Sequence, residues 1–390
     1  MKAYQVSPAD LKEIAPYKGE EYLQALHRLM KSDKLPAIVA GFFPNTSLEE
    51  LLKMGEAVRD VGDFHRTIIA IAIKSLLNRT SDGLEVTGLE SVSDDRRHVY
   101  ISNHRDIIAD SALLSFALMN AGHRTLEICL GDNLLFNDFT KDVLKINKGV
   151  IVKRDLSQKE LLRWSYVLSR YIQDEIHAGK DSIWIAQREG RTKNGLDKTQ
   201  PGVLKMLALD GEGALLERLE ALNIRPVAVS YEYEPCGALK VREQLHRARS
   251  GEYKKAENED AQSVTLGLLG PKGRIQINVG EELDTQTWDV VRSVEGKGEQ
   301  LKALAGILDQ RIHRLYHLFP SNFAAFDLLE GAQKMAEHYT PAYKEAFVGR
   351  MQKELRLLGP DAEAAVPYYL RMYAAPVVSA LSLEDSGPAC

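Results

Sequence analysis

The part of the sequence best suited to chemistry is Ser102-Asn103-His104-Arg105-Asp106-Ile107-Ile108-Ala109-Asp110, where one imidazole stands near two carboxyls. An imidazole that titrates near neutrality can take a proton from a hydroxyl, provided a carboxylate fixes its tautomer and stabilises the imidazolium. Asp106 and Asp110 are both candidates for that partner, because a helix beginning near Asp106 puts the two on one face. The same residues also fit a plain N-cap, a first-turn charge and a polar loop histidine, so the surroundings decide. Two further segments supply cations: Gly149-Val150-Ile151-Val152-Lys153-Arg154 and Trp184-Ile185-Ala186-Gln187-Arg188-Glu189-Gly190-Arg191-Thr192-Lys193. Arginine's planar fork suits bidentate binding of phosphate, and lysine adds a point charge. A fourth segment, Ile224-Arg225-Pro226-Val227-Ala228-Val229, reads as a buried strand with a core role.

The elements that must position these groups are legible as short apolar runs at 98–102, 125–130, 149–153, 182–187, 226–232 and 274–279. They are spaced by helical patterns such as 112–119 and 157–177, an alternation that predicts an α/β fold. The expected architecture is a mostly parallel central sheet covered by helices, with helical additions at both ends of the chain. In a parallel sheet the ends of these strands converge, bringing Lys153, Arg154, Arg188, Arg191 and Lys193 to the edge that carries His104. Residues 1–85 read as a helical region of about three helices, with Ser47 and Glu50 in capping-box spacing. Asn78-Arg79-Thr80-Ser81-Asp82-Gly83 reads as a turn before an α/β domain at 86–285. Residues 286–390 read as helical again, punctuated by Pro320, Pro341, Pro360, Pro367 and Pro376, with a loose polar tail at 383–390.

Composition narrows the classes. With 44% hydrophobic and 27% charged residues among 390, the chain has the balance of a folded, water-soluble protein. A net charge of -5 argues against whole-protein attraction to nucleic acid, so any anionic partner must meet a local basic patch. Three cysteines without a CxxC pair fit a reducing compartment and no structural zinc. No apolar leader opens the sequence, and its most apolar stretch, 67–77, is short of the roughly 20 residues that cross a bilayer. The run from Leu239 to Arg249, with Lys254 and Lys255, is a basic helical stretch: a solvated helix in the plainer reading, a docking face for anionic membrane or an acidic carrier in the functional one. His104-Arg105-Asp106 also has the form of a kinase catalytic loop, but Ser111 stands where its asparagine belongs and no Asp-Phe-Gly follows.

Taken in order, the four segments resemble the motif blocks of the glycerolipid acyltransferases, the superfamily of glycerol-3-phosphate and lysophosphatidate acyltransferases, over roughly residues 86–235. Asn103-His104 matches the first block, Gly149 with Arg154 the second, Glu189-Gly190 with Arg191 the third and Pro226 the fourth. Two departures stand out: Ala109 occupies the family's aspartate position, with Asp110 one residue later, and Arg191 follows Gly190 without the usual intervening residue. The resemblance implies an enzyme of phospholipid biosynthesis that moves a fatty acyl group from acyl-CoA or acyl carrier protein to a hydroxyl of a phosphate-bearing glycerol acceptor. His104 is then the general base, with Asp110 favoured as its partner and Asp106 the alternative. Asn103, Arg105, Lys153, Arg154, Arg188, Glu189, Gly190, Arg191 and Lys193 are expected to bind substrate. No metal, tightly bound cofactor or nucleic acid is implied. A cytoplasmic protein is expected, peripheral on the inner membrane face, with contacts to membrane or carrier protein. The alternative from another class is a non-catalytic acyl-donor or lipid binding protein on the same fold.

Overall fold

The computed structural model describes residues 4–385. Seven strands form one sheet: β1 (Ser81–Thr87), β2 (Val99–Ser102), β3 (Glu127–Gly131), β4 (Gly149–Val152), β5 (Ile183–Ala186), β6 (Arg225–Tyr231) and β7 (Gly273–Val279). Their order is β1-β7-β6-β2-β5-β3-β4. From β6 through β2, β5 and β3 to β4 every neighbour is parallel, whereas β7 runs antiparallel to β6 and pairs in parallel with β1. The expected α/β fold with a mostly parallel sheet is therefore present. Every residue of β2 and β3 is buried, the condition of strands covered by helices on both faces, which is why they read as apolar runs. β2 lies between β5 and β6, so the chain crosses over it in both directions, and a cleft opens beyond its C-terminal end.

The predicted turn at 78–83 is instead the end of one element and the start of another. The Ala70–Thr80 helix runs to Thr80, whose hydroxyl donates to the Leu76 carbonyl at 2.8 Å, and β1 begins at Ser81. The turn-like composition has a local cause: the β1–β7 register shifts between Ser81 and Leu84, and Gly83 there has φ 122°, a bulge that suits glycine. Ahead of it lie more helices than the spacing suggested: Pro8–Ile14, Gly19–Met30, Leu35–Phe42, Leu48–Glu56 and Val61–Phe64, the last running through a π-turn into Ala70–Thr80. The capping box is formed, Ser47 Oγ accepting from the Glu50 amide at 3.2 Å and Glu50 Oε2 from the Ser47 amide at 2.8 Å. These helices share their own apolar core, built on Leu26, Leu51 and Phe64 and closed by Ile146 of the α/β region.

The C-terminal helices Pro320–Glu330, Pro341–Leu355 and Ala362–Asp385 pack around Phe347, Tyr369 and Tyr373. Pro320 and Pro341 occupy first helical turns, where a missing N–H costs nothing. Pro367 and Pro376, expected to interrupt, lie inside the final helix. That helix includes residues 383–385 of the predicted tail, and 386–390 lie outside the described residues. Among the described residues no helix is long and apolar enough to cross a membrane.

Candidate active site

The chain leaves β2 as a bent loop, residues 105–108, before the Ala109–Asn120 helix begins. Buried Asn103 fixes the loop's start: its amide nitrogen donates to the Val229 carbonyl at 2.9 Å and its oxygen accepts from the Val229 amide at 2.8 Å. That side chain is spent on β6 and does not reach the cleft. His104 follows, its carbonyl accepting from the Thr192 amide at 3.0 Å and its ring lying 5.6 Å, edge to face, from Trp184.

His104 Nδ1 lies 3.0 Å from Asp110 Oδ2. The same oxygen accepts the Arg105 and Asp106 amides at 2.7 and 2.9 Å, and Oδ1 accepts the Tyr231 hydroxyl at 2.9 Å. Fully buried Asp110 thus meets three donors besides the ring, and as a carboxylate that only accepts it requires the ring nitrogen to donate as well. This places the proton on Nδ1 and leaves the Nε2 lone pair for the cleft that His104 lines. The bend at 105–108 folds Asp110 back to the imidazole. Asp106 has a different task. Its Oδ1 accepts from the Ile108 and Ala109 amides at 3.0 and 2.8 Å, capping the helix, while buried Oδ2 has no hydrogen-bond partner among the described residues. Burial, reinforced by Asp110, holds the Asp106 carboxyl above its ordinary value.

The cleft beyond β2 to β5 has a volume of about 1250 Å³ and two kinds of wall. One is apolar: Leu130, Leu161, Leu168, Ile185, Val203 and Met206. The other is cationic, and the structure brings Lys153, Arg154, Arg188, Arg191 and Lys193 to it together with His104, Glu189 and Gly190. Gly190 has φ 67°, a left-handed turn that lets Arg188 and Arg191 face the same space. Two of the cations are already engaged, Lys153 with Glu13 at 2.6 Å and Lys193 with Glu243 at 2.7 Å. Burial, and next the neighbouring Arg191, lower the Lys193 ammonium below its ordinary value. Among the described residues Arg154, Arg188 and Arg191 make no ion pair, and the buried Arg188 Nε and Arg191 Nη1 lack any hydrogen-bond partner. Arg154 and Arg188 are half-buried, while buried Arg191 is offset in part by the nearby Asp106 and Glu234 carboxylates; with no direct ion pair on any of the three, their convergence on one wall suits an anion.

Arg105, expected at the substrate, turns the other way. It pairs with Asp197 Oδ2 at 2.9 Å beneath Tyr316, and its carbonyl accepts from Lys240 Nζ at 2.7 Å. The expected basic stretch forms the Gly237–Ser250 helix, but its cations are committed: Lys240 is buried on Glu234, Arg242 on Glu259, Arg247 on Glu243 and Arg249 on Asp361. No sequence motif marks Tyr231, Lys240 or Asp197. Each acts on the His104 loop from more than 80 residues away, and only the fold brings them there.

Residues 83–229 match a family model described as Acyltransferase. Among solved structures, the crystal structure of the 1-acyl-sn-glycerophosphate (LPA) acyltransferase PlsC from Thermotoga maritima is similar at 14% identity and a TM-score of 0.38, the match covering 75% of this chain and 94% of that one. No curated protein matches the chain.

Proposed function

We propose that this chain, whose residues 83–229 match the Acyltransferase family model, is a glycerolipid acyltransferase that moves a fatty acyl group from an acyl-CoA or acyl carrier protein thioester to a hydroxyl of a phosphate-bearing glycerol acceptor. The observation that carries the reading is the meeting, in one cleft, of the His104–Asp110 pair with three arginines that form no direct ion pair among the described residues. His104 Nε2 takes the acceptor's hydroxyl proton as the oxygen attacks the thioester carbonyl. Asp110 holds the ring in the accepting tautomer and stabilises the imidazolium that forms. As the carbonyl is restored the carbon–sulfur bond breaks, and the imidazolium returns its proton to the departing thiolate. Arg154, Arg188 and Arg191 hold the acceptor's phosphate, which keeps its hydroxyl within reach of the ring. The apolar wall accommodates the acyl chain, whose burial contributes about 0.8 kcal/mol per methylene.

The test incubates purified protein with labelled acyl-CoA and either glycerol 3-phosphate or lysophosphatidate, and identifies acylated products by mass spectrometry. Transfer by the wild type that His104→Ala abolishes is the expected result. Tight donor binding without turnover in the wild type overturns it and leaves a binding protein.

A further inference from the structure

We propose that Tyr231 is a positioning residue for acyl transfer, acting on His104 through Asp110. The inference rests on the reading of His104 as the base, and it adds a residue that lies beyond the matched segment and in none of the four motif blocks. Asp110 Oδ2 is shared by His104 Nδ1 and two backbone amides, so the orientation of the carboxylate depends on what holds the other oxygen. Among the described residues only the Tyr231 hydroxyl does so, at 2.9 Å.

Tyr231 is the last residue of β6, paired across the sheet with Ile275 of β7. Its side chain does not line the cleft that holds His104. It borders a separate cavity of about 30 Å³, together with Arg105, Glu234 and Tyr316. The hydroxyl therefore touches no substrate and acts only by way of the carboxylate. Burial, and next Asp110 itself, keep the phenol well above its ordinary value, so it remains a donor. A donor at Oδ1 draws charge from the carboxylate and restrains its rotation. Both effects pass to the imidazole, one setting its proton affinity and the other its aim at the acceptor hydroxyl.

Tyr231→Phe removes the donor and keeps the ring. The expected result is a fall in kcat of about tenfold, with KM for donor and acceptor little changed. The acid limb of the pH–rate profile should move to higher pH by about half a unit, because a more basic carboxylate raises the proton affinity of the ring. Tyr231→difluorotyrosine, a stronger donor of nearly the same shape, should move that limb to lower pH, and it keeps the test open should the phenylalanine variant fold poorly. The His104 ring is also titrated by NMR in resting protein, its resonance identified by its loss in His104→Gln. That readout needs no turnover, so a protein that transfers no acyl group sinks the proposed reaction while the Tyr231 link is still measured. Titration midpoints of His104 that stay put in both Tyr231 variants overturn the inference. So does a loss of activity that follows only the loss of thermal stability.

Discussion

Replacing Asp110 by asparagine separates the charge of the carboxylate from its shape. The two backbone amides of Arg105 and Asp106, at 2.7 and 2.9 Å from Oδ2, require an acceptor there, so the amide oxygen must stay on that side. It then continues to accept from His104 Nδ1, and the catalytic tautomer survives. What disappears is the attraction between carboxylate and imidazolium. At 3.0 Å that attraction amounts to about 5 kcal/mol for an effective dielectric of about 20. A neutral amide keeps the dipolar part, leaving a loss of about 3 kcal/mol in the transition state, or about two orders of magnitude in kcat. The folded state should lose less, about 1–2 kcal/mol, since all but the Tyr231 contact can be remade. Asp106→Asn is the companion. It preserves the cap through Oδ1 and should leave kcat within a few-fold of the wild type. Because burial raises the Asp106 pKa in the folded state, its contribution to stability declines as pH rises above the unfolded value of 3.8, and the asparagine variant should not show that decline. Steady-state kinetics and thermal melts from pH 4 to 8 report both halves. Near-wild-type turnover in Asp110→Asn, or an equal loss in Asp106→Asn, would refute the assignment of Asp110 as the partner.

Three more outcomes are expected. Alanine at Arg154, Arg188 or Arg191 should raise KM for the phosphate-bearing acceptor by about tenfold or more, with little effect on melting temperature at Arg154 and Arg188, which form no ion pair among the described residues, and a lower melting temperature at buried Arg191, which lies near Asp106 and Glu234. Fully buried Glu127 is pushed up to about 7 by burial, which outweighs the Lys18 ammonium 3.1 Å away, so the folded protein should lose stability as pH rises from 4.5 through 7, by at most about 3 kcal/mol. Glu127→Gln should flatten that slope in chemical denaturation. Gly267→Ala should destabilise by about 1–3 kcal/mol in the same assay, because its methyl would fall 2.0 Å from Asp106 Oδ2, on a side chain fixed by its cap.

How much of this was legible in the sequence follows from the range of the interactions involved. The strands around the site are buried on both faces, so runs such as Val99-Tyr100-Ile101 announce themselves, and the cations that follow them reach the cleft because parallel strands share an edge. β1 was hidden because a bulge at Gly83 gave a strand the composition of a turn. Spacing alone does not separate Asp106 from Asp110, since both lie at a helix start, and only the family resemblance favoured Asp110. What separates them is the bend that turns one toward the imidazole and the other toward the helix amides. Arg105 and Arg154 look alike in sequence, yet Asp197 draws the first away from the cleft while no carboxylate among the described residues pairs with the second. The basic stretch at 239–249 reads as a cationic face, but its partners Glu234, Glu259 and Asp361 come from three other segments. Contacts of that range leave no mark in local pattern.

A crystal structure of the protein with lysophosphatidate bound tests most directly whether His104 and the arginines share one acceptor. The acceptor hydroxyl should lie at about 2.6–3.2 Å from His104 Nε2 with the phosphate among Arg154, Arg188 and Arg191. A phosphate seated elsewhere, or a hydroxyl out of reach of the imidazole, would contradict that arrangement.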